Sequence, residues 1–134
     1  LYFKEDETPA LEKIFLDNVV TEIFVSEITK AEFFSAIYKK LRTKDLLTQE
    51  ADAIIGAFVA DERKFSFISV DSEIIGSSQK FIGKYGIEGL RALDAIQLAS
   101  AYSVRHSIGL AVSNDKLLNS FLKSEDIEVL QGAY

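Results

Sequence analysis

The chain has 134 residues, with 21 Asp and Glu against 15 Lys and Arg for a formal charge of −6, no cysteine, and a single histidine, His106. That length is most simply one domain that folds without staples, and the lack of cysteine excludes a disulfide framework, thiolate zinc sites and a cysteine nucleophile, as suits a reducing cytoplasm. One histidine cannot build the usual zinc site, and an acidic chain is poorly suited to binding nucleic acid by bulk charge, so metal chemistry would fall to Asp and Glu oxygens.

Residues 1–7 (LYFKEDE) run from apolar to acidic, and Thr8-Pro9 then supplies an N-cap with proline at the first helical position. An amphipathic helix is expected over about 9–18, with Ala10, Leu11, Ile14 and Phe15 near a 3.6 period. Residues 23–28 (IFVSEI) have the β-branched and aromatic composition of a buried strand. Helical spacing follows at once over 27–42, where Ile28, Ala31, Phe34, Ile37, Tyr38 and Leu41 recur and Glu32 sits one turn in. Lys39, Lys40, Arg42 and Lys44 at its end read either as a solvated terminus favoured by the helix dipole or as a contact for an RNA backbone.

Thr48 opens another helix, with Ile54, Ile55, Phe58 and Val59 as its apolar positions and a charged end over 61–64. Residues 65–70 (FSFISV) read as a second strand leading to Asp71, a natural cap for a helix over about 72–85. Gly86 and Gly89 bracket a loop, and a helix rich in small residues then begins near Asp94 in LRALDAIQLASAY. A third strand over 109–113 (GLAVS), a helix over about 116–122 and a last strand over 127–130 (IEVL) complete the chain. Strands alternating with helices predict an α/β fold, with a mostly parallel sheet covered on both faces. No apolar run of about 18 residues and no charged stretch leading into an apolar one is seen in these residues, so neither a membrane span nor a signal peptide is expected from them.

In such sheets the functional groups gather beyond the carboxyl ends of the strands. Glu32, Asp94 and Asp115 satisfy that placement, and each also has a structural reading. Asp94 with Gln97 has the spacing of a capping box, Asp115 could cap the helix that begins at Lys116, and Glu32 could pair with Lys30 or Lys39. Arg91, three residues before Asp94, suits either a phosphate contact or an ion pair.

The stretches VSEITKAEFFSA, LRALDAIQLASA and AVSNDKLL, in this order, resemble the PIN domain and, within it, the VapC-type ribonuclease toxins. The resemblance implies a three-layer α/β/α domain over residues 1–134, with Glu32, Asp94 and Asp115 at the family's acidic metal-binding positions and Ser113 as the hydroxyl residue two before the last acid. It implies a Mg²⁺- or Mn²⁺-dependent endoribonuclease, RNA as substrate, an antitoxin as inhibitor, and a homodimer. The family's first aspartate, on an initial central strand, has no counterpart here; LYFKEDE resembles the helix after it, and Asp6 belongs to that helix's charged end. With Leu1 first and no methionine, the chain is expected to be N-terminally incomplete. A PIN-fold interaction module without catalysis and a phosphohydrolase for small phosphate esters are the alternatives.

Overall fold

The computed structural model describes residues 22–130. The helix expected over 9–18 lies outside them. The chain divides into two compact units that meet in sequence at Phe67 and Ile68.

In the first unit, strand β1 (Phe24–Ser26) turns at Glu27 into helix α1 (Ile28–Arg42), and α2 (Thr48–Asp61) follows. A 3₁₀ turn (Glu62–Lys64) then leads into β2 (Ser66–Ile68), which pairs with β1. Both strands are shorter than their composition suggests, because composition marks where a strand can form and the partner's hydrogen bonds set its length. The core is Phe33 and Ile37 from α1 against Ala51 and Phe58 from α2, each spaced to share one helical face. Phe33 and Phe58 stack with centroids 4.1 Å apart. Tyr38, placed by spacing on the apolar stripe, is instead 53% exposed, as is Val59 at 54%. The packed stripe of α1 is centred on Phe33 and Ile37, which turns position 38 outward.

The turn from α1 to α2 places Lys44 at a φ of 61°, in the left-handed region. The Asp45 N–H closes it by donating to the Lys40 carbonyl (2.8 Å). Leu47 precedes α2 with no polar side chain, and Glu50 Oε1 accepts from its N–H (2.9 Å), the reciprocal half of a capping box.

The second unit contains helices α3 (Ser72–Tyr85), α4 (Ala92–Ser103) and α5 (Lys116–Ser124). Asp71 caps α3 as expected, its Oδ1 accepting from the Ile74 N–H at 2.9 Å. Helix α3 packs chiefly on α4. Ala95, Ala99 and Ser100 of α4 are fully buried or nearly so, and such small side chains permit close approach of a neighbouring helix. Phe81 and Tyr85 of α3, Leu98 of α4 and Phe121 and Leu122 of α5 complete the centre of this core. At its edge, Tyr85 Oη donates to Glu125 Oε2 and Lys84 Nζ lies 2.6 Å from the same oxygen, tying the end of α3 to the end of α5.

The strands expected over 109–113 and 127–130 are reduced to one parallel bridge between Ala111 and Val129. It is held by the Ala111 N–H donating to the Glu128 carbonyl (2.7 Å) and the Leu130 N–H donating to the Ala111 carbonyl (2.9 Å). A strand needs successive paired residues, and here the pairing is confined to one.

Candidate active site

Two helix starts in the second unit each bring an aspartate. At the first, the loop 86–89 ends in Gly89, whose φ of 110° suits a residue without Cβ. A methyl group there would also meet Leu117 Cδ2 at 3.3 Å. Leu90 is then buried, and Arg91 takes an extended conformation as the N-cap of α4 without offering a side-chain cap. Asp94 therefore falls at the third residue of the helix. The capping box read from its spacing to Gln97 is not formed, because such a box requires the acid at the cap position itself.

The Asp94 carboxylate is half-buried. Burial pushes its pKa up, the charge of Asp115 pushes it further, and the Arg91 guanidinium opposes both. Among the described residues nothing hydrogen-bonds to this carboxylate or pairs with it. The helix dipole favours an acid in a first turn, but that advantage is modest beside the cost of a desolvated carboxylate facing another.

At the second helix start, Asp115 is the N-cap of α5. Its Oδ1 accepts from the Leu118 N–H at 3.0 Å. The capping reading of Asp115 is thus realised, and it engages one carboxylate oxygen. Ser113 Oγ accepts from the Asp115 N–H at 3.0 Å, so this hydroxyl helps set the turn that presents the acid. Asn119 Nδ2 donates to the Ser113 carbonyl at 3.1 Å and anchors the same turn from within the helix, while its buried Oδ1 has no partner among the described residues. Sequence reasoning missed Asn119, since its contact lies six residues upstream and matches no local motif.

Asp94 and Asp115 are close enough to act on each other electrostatically, and as placed they are a pair rather than a group of three or more metal-ligating side chains among the described residues. Glu32 is on α1 in the first unit, half-buried. Of the lysines suggested as its partners, Lys30 pairs with Glu27 at 3.0 Å and lies over the Phe67 ring at 4.1 Å. Arg91 is exposed and forms no ion pair among the described residues. Arg105 closes the end of α4: its Nη1 donates to the Tyr102 carbonyl (2.8 Å), with its guanidinium over the Tyr102 ring.

The PIN domain family model matches residues 1–121, a span that includes Glu32, Asp94 and Asp115. The chain belongs to the PIN domain family. Its helices and short parallel sheet are consistent with the α/β fold of that family. PIN domains are generally nucleases and usually use divalent metals. No match was found among curated proteins or among solved structures. The donor chemistry fits such an ion: both groups are hard carboxylates, and the burial and mutual repulsion that raise the Asp94 pKa are what a divalent cation would relieve. Among the described residues no helix is long and apolar enough to cross a membrane.

Proposed function

We propose that this PIN domain protein is an endoribonuclease of the VapC type, the toxin of a toxin–antitoxin pair. Glu32, Asp94 and Asp115 are its Mg²⁺ or Mn²⁺ ligands, and residues 1–134 act as one cytoplasmic domain. The single observation that carries the nuclease reading is Asp94, a half-buried carboxylate with no capping duty, facing the charge of Asp115. The RNA substrate, the antitoxin, a homodimer and the role of Glu32 are supported by the resemblance of VSEITKAEFFSA, LRALDAIQLASA and AVSNDKLL to that family.

When bound, a divalent ion supplies a lowered pKa for water and compensates charge at a phosphodiester. The residues of this chain do the rest. Asp94 and Asp115 supply oxygen ligands from two helix starts, Ser113 and Asn119 hold the turn that carries Asp115, and Arg91, exposed at the N-cap of α4, supplies a guanidinium for a phosphate. No side chain acts as nucleophile in this scheme.

The test is RNA cleavage with Mg²⁺ or Mn²⁺ present, compared between the protein and Asp94→Asn. Cleavage should fall at least about 100-fold in the variant, with its circular dichroism unchanged, and chelation should abolish it in the parent. Full cleavage by Asp94→Asn would refute the assignment.

A further inference from the structure

The turn between α1 and α2 forms a groove of about 550 Å³, lined chiefly by Tyr38, Leu41, Arg42, Lys44, Leu46 and Leu47. Its floor is committed to the fold, since Leu41 and Leu46 pack on the core of the first unit. What it presents outward is an aromatic ring, the exposed Leu47 side chain and positive charge. Tyr38 is more than half exposed, and Lys39, Lys40, Arg42 and Lys44 are all exposed.

Among the described residues none of these four cations forms an ion pair. The neighbouring acids are occupied otherwise: Asp45 Oδ2 accepts from Thr43 Oγ1 (2.6 Å) and Glu50 Oε1 from the Leu47 N–H (2.9 Å). On a chain of charge −6 this is a local reversal of sign. A second observation concerns the backbone: Lys44 occupies the left-handed region, where glycine or asparagine is the less strained choice. The turn therefore carries a charged side chain at a position that local conformation alone would give to another residue.

We propose that this groove binds a single-stranded RNA segment, with phosphates on Arg42 and Lys44 and one base stacked on Tyr38. Tyr38 and Arg42 are four residues apart on α1 and so lie on one helical face, the arrangement that lets one nucleotide meet both a ring and a cation. The identity of the ligand as RNA rests on the ribonuclease reading, whereas the surface itself is independent of the acid pair.

The experiment is fluorescence anisotropy of a labelled 12-nucleotide single-stranded RNA with the full chain in EDTA, where metal-dependent cleavage is blocked. The double variant Arg42→Gln, Lys44→Gly removes both charges while giving the left-handed position a residue that accepts it. It should weaken binding about tenfold and lower the slope of log K against log salt by about 1.4, the loss of two phosphate contacts. Tyr38→Ala should weaken binding about tenfold and Tyr38→Phe should not, with circular dichroism confirming each fold. Affinities within about twofold of the parent for the double variant or for Tyr38→Ala would overturn the proposal. If the parent binds through this groove yet cleaves nothing with Mg²⁺, the catalytic reading fails and the groove stands.

Discussion

Helices α4 and α5 both begin beside an aspartate, and the two acids do different work. Asp115 sits at the cap and accepts with one oxygen from the Leu118 N–H, while Asp94 sits three residues beyond its cap with no hydrogen-bond partner among the described residues. A displacement of three positions along a helix start separates a carboxylate that stabilises the fold from one the fold merely tolerates. The tolerated one is the stronger functional candidate, because partial burial of a carboxylate beside another has a cost that packing does not explain.

The largest effect should come from asparagine at each position, since Asn is a good cap but a poor ligand for a hard cation. Asp94→Asn and Asp115→Asn should each reduce metal-dependent RNA cleavage at least about 100-fold, while both melt within about 3 °C of the parent. A melting loss well beyond that in Asp115→Asn, with cleavage intact, would reduce Asp115 to a cap and break the pairing of roles.

Next in size is Gly89, which sets where α4 starts. Gly89→Ala imposes a Cβ at a φ of 110° and against Leu117, and should cost about 1–2 kcal/mol in denaturant unfolding. It should also lower cleavage, because Arg91 and Asp94 follow from that loop. Unchanged stability would mean that the loop can relax and that Asp94 is not placed by it.

Removing caps sharpens the comparison further. Asp71→Ala and Asp115→Ala each delete an acceptor for a first-turn N–H, Ile74 in one case and Leu118 in the other, so each should destabilise by about 1 kcal/mol. Only Asp115→Ala should also lose cleavage. Equal loss of activity in Asp71→Ala would show that cleavage is reporting stability rather than ligation.

The cap of α3 at Asp71 was readable because N-capping is local chemistry, and the structure places that helix over Ser72–Tyr85, where the pattern put it. The Asp94 cap was misread for the same locality: the spacing to Gln97 matches a capping box, but the backbone from Gly89 to Arg91 starts the helix earlier. Strand-like composition at GLAVS and IEVL could not reveal that only Ala111 and Val129 would pair, since pairing depends on a partner distant in sequence. Tyr38 was drawn into the core by a periodicity that leaves the packed face uncertain by one position. Asn119 carried no motif at all. Asp94, Asp115 and Ser113 can be singled out as candidates from sequence, whereas which aspartate serves as a helix cap needed the helix boundaries.

The smallest expected effect tests the electrostatics of the pair directly. In the folded protein the Asp94 pKa is raised, by burial first and by Asp115 second, so between its ordinary value and the folded one the native state holds a proton that the unfolded state has released. Its contribution to stability is therefore fully present below the ordinary carboxylate value and is lost as pH rises through the folded pKa. Asp94→Asn cannot titrate, so the difference in unfolding free energy between variant and parent should shift in favour of the variant as pH rises through that window, by less than about 1 kcal/mol for a half-exposed group. Denaturant unfolding of both proteins across that window, in EDTA, measures it. Adding Mg²⁺ at neutral pH should raise the melting temperature of the parent more than that of the variant, since the ion binds the charged form. A parent whose stability relative to Asp94→Asn is flat with pH would mean that Asp94 is solvated and relaxed, and the contrast with Asp115 would then rest on capping alone.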